Sequence, residues 1–186
     1  MERTSVCFVL LICTAGLCLA NYSELGLCPS TPRQADLRPD RLAGVWYEQM
    51  RYFDPGFSAR CTRWQLSRSD GDDGALRLNE TRLDAVDGSR YETVETVRPA
   101  GGADQPLSSP RFDHIVVAAT DYTAHAVVLL CRQHRGFHAR TVLVLTRQRA
   151  PERRRLRALL DRLRADGLLV DRLVQTAQDN CPDGGP

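Results

Sequence analysis

The sequence contains no lysine: all 25 basic side chains are arginine, set against 23 Asp and Glu for a formal net charge of +2 over 186 residues. A balance this close to neutral lacks the positive field of a nucleic-acid-binding domain. Aromatic residues make up 6% of the chain and hydrophobic residues 42%, which fits one globular domain and excludes a disordered polyelectrolyte or a collagen-like repeat. Two full domains need more chain than this. Also missing are a G-x-S-x-G elbow, a G-x-x-x-x-G-K-[ST] phosphate loop and a G-x-G-x-x-G turn. No enzyme is signalled, no cofactor is called for, and nothing marks an oligomeric state.

The longest apolar run lies at the start. Val6 to Leu19 follows Arg3 and is closed by small residues at Cys18 and Ala20, which reads as a secretory leader, residues 1–20, cleaved after Ala20. It falls short of the roughly 18 to 20 apolar residues of a spanning helix, and nothing later approaches that length. The expected mature chain, residues 21–186, is a single extracellular domain. Cys7, Cys13 and Cys18 leave with the leader, and Cys28, Cys61, Cys131 and Cys181 remain. In an oxidising compartment four cysteines imply two disulfides, with three connectivities open. Their spacing is too long for a C-x2-C zinc site.

Short runs of Val, Ile, Thr, Tyr and Leu between Gly, Asp, Ser and Pro predict antiparallel strands. They fall near Gly44 to Met50, Thr62 to Ser67, Ala75 to Leu83, Arg90 to Val97, Ile115 to Thr120, Ala126 to Cys131 and Ala139 to Thr146, with a weaker one around Pro106 to Phe112. Asp70-Gly71 with Asp73-Gly74, and Asp87-Gly88, are hairpin signals. About eight strands joined by short links predict an all-β, eight-stranded antiparallel up-and-down β-barrel. Leu156, Leu159, Leu160 and Leu163 then recur at helical spacing behind Pro151 and Glu152, with Gly167 beyond. They predict one C-terminal amphipathic helix packed by its leucines on the barrel. Its other face carries Arg153, Arg154, Arg155, Arg157, Arg162 and Arg164, either a solvated face or a docking surface for an acidic protein, glycan or lipid surface.

Gly44-Val45-Trp46-Tyr47, Thr120-Asp121-Tyr122 between two late strands, and Arg147 ending the last strand resemble, in order and interval, the three motifs of the lipocalin family. Cys28-Pro29, Ala119-Thr120-Asp121-Tyr122 leading to Cys131, and Asp179-Asn180-Cys181-Pro182 are similar to its apolipoprotein D-like branch, which includes arthropod bilin-binding members. The resemblance implies disulfides Cys28–Cys131 and Cys61–Cys181. It also implies a barrel plug in which the Arg147 guanidinium stacks on Trp46. Gly44 would give the backbone room there, and Asp121 would organise a turn through backbone N–H groups. The function it implies is non-covalent carriage of a small hydrophobic ligand: a fatty acid, sterol, retinoid or bilin.

Alternation along each strand predicts the pocket wall. Met50 shares the parity of Trp46. Thr62, Trp64 and Leu66 share a face if Cys61 points outward, as do Leu76, Leu78 and Glu80 on the next strand, and Val116 and Ala118 later. Val128 and Leu143 are further wall positions. A carboxylate on that face, Glu80, requires water, a partner or a proton, and Glu80 or Arg63 would meet the polar end of a guest. Asn79-Glu80-Thr81 is an N-glycosylation acceptor with Asn79 pointing out, and Asn21-Tyr22-Ser23 is a second. His134 and His138 form an H-x3-H pair without a third ligand, so no metal site is assigned. Where the branch often has a large aromatic before Thr-Asp-Tyr, this chain has His114-Ile115-Val116, a smaller wall suited to a longer or bulkier guest.

Overall fold

The computed structural model describes residues 23–54, 57–69, 74–100 and 106–182. The expected leader, Asn21, and residues 70–73 of the first hairpin signal lie outside that set. Eight strands form the wall: β2 (Gly44–Tyr52), β3 (Ala59–Arg68), β4 (Leu76–Asp84), β5 (Arg90–Pro99), β6 (Leu107–Ser108), β7 (His114–Thr120), β8 (His125–His134) and β9 (Phe137–Thr146). Each pairs antiparallel with the next, and β9 returns to β2, closing the barrel. Two short terminal strands, β1 (Ser23–Leu25) and β10 (Leu173–Gln175), were not foreseen.

The last two long strands are apolar on both faces because each face has a cover. Ala126, Val128 and Leu130 of β8, with Leu143 and Leu145 of β9, join the inner core. Val127, Leu129, Val142 and Val144 point outward. There they meet Leu156, Leu159, Leu160 and Leu163 of the one α-helix, α1 (Arg153–Ala165), as its spacing predicts. Leu163 is the most deeply seated of the four, at 3% exposure, worth about 1.5–3 kcal/mol of apolar burial. Gly167 ends the helix at φ +86°, where its N–H meets the Arg164 carbonyl (3.1 Å) and that of Leu168 meets the Leu163 carbonyl (2.9 Å). This is a Schellman stop, which a Cβ would strain.

The barrel seam explains the two terminal strands. One edge of β2 pairs with β3 only from Gly44 to Tyr47, and beyond that with β10 at Met50 to Tyr52. One edge of β9 is shared in the same way between β2 and β1. Bulges between Glu48 and Met50 and between Arg60 and Arg63 split β2 from β3, and the C-terminal tail fills the gap. Thr176 N–H donates to the Gln49 carbonyl (2.9 Å), and Cys61 N–H to that of Ala177 (2.7 Å). Gln178 Nε2 donates to the carbonyls of Glu48 and Thr62. The disulfides Cys28–Cys131 and Cys61–Cys181 clamp the two ends onto the wall.

One end of the barrel is shut by the side chains of the three motifs. The Arg147 guanidinium lies 3.7 Å from the Trp46 ring centroid and donates to the carbonyls of Val45, Ala43, Arg41 and Tyr122. Trp46 Nε1 donates to the Leu42 carbonyl (2.8 Å) at the end of a 3-10 turn, Pro39–Leu42. Asp121 Oδ1 accepts from the N–H groups of Thr123, Ala124 and His125, ordering the turn that supplies Tyr122. Burial pushes the Asp121 carboxyl up, but these bonds and the His125 ring outweigh it and hold it below the usual carboxylate range. Gly44 sits at φ +106°, and a Cβ there would lie 2.8 Å from Arg147 Nη1. Gly44→Ala is therefore expected to lower the unfolding free energy by about 2–4 kcal/mol. Roughly 1–3 of this is backbone strain and about 1 the displaced guanidinium bonds, measured by urea denaturation with the disulfides intact.

Candidate functional site

Above the plug lies a cavity of about 60 Å³ whose lining residues are all hydrophobic: Leu42, Trp46, Trp64, Leu66, Leu78, Val97, Leu107, Phe112, Ile115, Val117, Ala126, Val128, Leu130, Leu143 and Leu145. Phe112 belongs to a segment that turns inward after the two-residue β6, held by reciprocal backbone bonds between Ser109 and Phe112 (2.9 and 3.2 Å). That turn shortens the strand predicted from Pro106 to Phe112.

Two residues further along each strand toward the open end, the interior changes character. Arg111 Nη1 bonds Glu80 Oε2 at 2.6 Å, and its Nε and Nη2 both bond Glu95 Oε1 (2.8 and 2.6 Å). Arg82 Nη1 reaches Glu80 Oε1 at 3.3 Å. Glu80 and Glu95 are buried; their pairing with arginine offsets the cost of removing two carboxylates from water. Burial works against the Arg111 charge, but Glu95 and Glu80 outweigh it and hold the guanidinium above its ordinary pKa. Beside this group Glu48, at 0% exposure, accepts from Trp64 Nε1 (3.2 Å) and from Thr176 Oγ1 (2.8 Å). Arg51 Nη1 stands 3.6 Å from Glu48 Oε1. The Arg51 guanidinium stacks 3.4 Å from the Phe57 centroid, with that of Arg82 4.9 Å from the same ring and 5.0 Å from Tyr91. The interior is thus an apolar floor beneath a layer of three arginines and three glutamates.

Of the positions read from alternation, Trp64, Leu66 and Leu78 line the cavity. Leu76 joins the same inner core, and Glu80 lies in the ion layer. Val128 and Leu143 line the cavity as well. Met50, Val116 and Ala118 do not: all three pack in the outer cluster under the helix. For Met50 the cause is the β2 bulge. In β2 Glu48 pairs with inward Leu145, but Met50 pairs with outward Val144, so parity flips and Arg51 takes the inner face opposite Leu143. In β7 plain alternation decides: Ile115 and Val117 point inward, so Val116, opposite outward Leu129, and Ala118 point out. Arg63, paired with Tyr47 and Thr81, bonds Gln65 at the surface and does not reach the interior.

Arg51, Arg82, Arg111, Glu48 and Glu95 were missed. Their only sequence signal is charge within or beside an apolar strand. Asn79 stands on the outer face, its Nδ2 bonding Glu92 Oε1 at 2.8 Å. On α1, Arg155 pairs with Glu152, Arg162 with Asp166, and Arg164 with Asp161 and Asp171. Arg153, Arg154 and Arg157 form no ion pair with the described residues.

Burial raises the Glu48 carboxyl, the dominant cause, against the pull of Arg51, Thr176 and Trp64. A folded-state pKa above the unfolded one means that folding favours the protonated form. As pH rises through the carboxylate range the unfolded chain releases this proton first, and stability falls. Glu48→Gln removes the titration while keeping an acceptor for Trp64. Its stability relative to the parent is expected to be better at pH 7.5 than at pH 4, checked by denaturant unfolding at both; an equal difference at the two would contradict the assignment.

No family model matches the chain. It is 25% identical over 167 residues to apolipoprotein D of Mus musculus, covering 86% of this chain and 87% of the relative. It is 26% identical over the same length to that of Macaca fascicularis. Among solved structures, lobster apocrustacyanin A1 superposes with a TM-score of 0.68 at 20% identity, over 90% of this chain and 96% of that one. Insecticyanin from the tobacco hornworm gives 0.67 at 15% identity, over 84% and 89%. With the closed barrel, the single helix and the motif residues seated in one plug, the chain has the lipocalin fold and resembles apolipoprotein D.

Proposed function

We propose that this chain is a secreted carrier that holds one small hydrophobic molecule non-covalently inside its barrel. The observation that carries the reading is the wholly hydrophobic cavity between the Trp46 plug and the ion layer. The likeness to apolipoprotein D supports it. Two disulfides suit an oxidising, extracellular setting, and the outward position of Asn79 suits a glycan. Each methylene transferred into the cavity gains about 0.8 kcal/mol, so affinity follows the hydrocarbon admitted. Room is the constraint. About 60 Å³ is far below the roughly 300–1,000 Å³ of ligand pockets, so uptake requires Phe112 and the Arg111 bridge above it to move.

We read the chain as a carrier rather than an enzyme. Cys28, Cys61, Cys131 and Cys181 are all paired, which leaves no free thiol among the described residues. The alternative reading, docking of an acidic partner on the helix arginines, is weaker because half of that face is already neutralised by neighbouring carboxylates.

The test is equilibrium titration with hexadecanoic acid, cholesterol, retinol and biliverdin. At least one is expected to bind one-to-one. Leu78→Trp, which fills the cavity, is expected to lower that affinity by about tenfold or more. Val116→Trp enlarges a side chain on the outer face, so its cost should appear in stability while uptake is retained. Full affinity in Leu78→Trp would move the site elsewhere.

A further inference from the structure

Resting on the carrier reading, we propose that the guest carries a carboxylate, held by Arg51 at the top of the cavity, with its apolar body below. Arg51 is an interior residue because of the β2 bulge, and its side chain is only 13% exposed. Its Nε and Nη1 are buried without a hydrogen-bond acceptor among the described residues. A buried guanidinium with orphaned donors is costly unless an acceptor completes it. The nearest carboxylate does not. Glu48 Oε1 is 3.6 Å away, beyond hydrogen-bond reach, and both Glu48 oxygens already accept, from Thr176 and Trp64.

The neighbouring arginines are committed differently. Arg111 is spent on Glu80 and Glu95, and Arg82 bonds Glu80. Arg51 stacks on Phe57 more closely than Arg82 does, at 3.4 against 4.9 Å, and alone of the three keeps two buried donors without an acceptor among the described residues. One of them, Nη1, faces Glu48, and Glu48 is bonded to Trp64, a wall of the apolar cavity. The orphaned donors therefore stand one side chain from the cavity roof. Glu48, its two oxygens taken by Thr176 and Trp64, leaves those Arg51 donors for a further acceptor. A planar guanidinium edge matches a carboxylate in geometry as well as charge.

The experiment compares matched pairs that differ only in the head group: hexadecanoic acid with hexadecan-1-ol, and retinoic acid with retinol. The two tryptophans of the chain, Trp46 and Trp64, both line the cavity, so quenching of their fluorescence reports occupancy. In the wild type the acid of at least one pair is expected to bind about 10- to 100-fold more tightly than its alcohol, the range for hydrogen bonds to charged groups. In Arg51→Gln the acid and alcohol affinities converge, and Arg51→Lys keeps part of the difference. The wild-type comparison stands on its own if a variant fails to fold. Equal binding of acid and alcohol, or an acid preference that survives Arg51→Gln in folded protein, overturns the Arg51 assignment and leaves the carrier reading intact. Failure of all four molecules to bind overturns the carrier reading itself.

Discussion

Everything inside this barrel is ordered by the guanidinium of Arg147 lying on the ring of Trp46. A closed sheet has two ends, and a carrier needs them to differ. Arg147 makes them differ by collecting the carbonyls of four residues from three separate parts of the chain, the 3-10 turn, the start of β2 and the Asp121 turn. A lysine has too few donors in a fixed plane to do this and stack at the same time. The glycine at position 44 is the concession that lets the guanidinium in.

With one end shut, depth along the barrel becomes a chemical coordinate. Along β4 the inner face reads Leu76, Leu78, Glu80, Arg82, passing from hydrocarbon to charge as the mouth is approached; its neighbour β5 pairs Val97 and Glu95 with the first two. The charges are tolerable because they meet across the barrel through Arg111, which arrives from a segment that is not a strand. The same bridge roofs the apolar cavity, so packing of the empty state and admission of a guest compete for one set of contacts. The C-terminal tail takes part in this arrangement: Thr176 holds Glu48 from the seam between β2 and β3, and Cys61–Cys181 holds the tail.

The plug and both disulfide pairings came only from the resemblance, since spacing alone left three connectivities open, while strand order and the helix were legible from local patterning. The inner face of β4 was legible for the same reason, since strict alternation runs uninterrupted from Leu76 to Glu80. Met50 was misplaced because a β-bulge inverts parity without leaving a residue-type signature, Gln49 being unremarkable in any strand; Val116 and Ala118 were misplaced because β7 is apolar on both faces, so residue type does not tell inner from outer. The terminal strands were invisible because three residues of Ser-Glu-Leu or Leu-Val-Gln carry no pattern, and their pairing is set by gaps in the seam. Arg111 was invisible because its position depends on β6 being only two residues long. The charged half of the site depended on register, and the apolar half on period.

The central claim is that the interior of this barrel exists to be filled. Native mass spectrometry of the secreted, disulfide-intact protein tests it most directly, with organic extraction to identify whatever travels with it. The account predicts a one-to-one complex with a single class of small amphiphile. A barrel that emerges empty, and stays empty when offered fatty acids, retinoids, sterols and bilins, would contradict it.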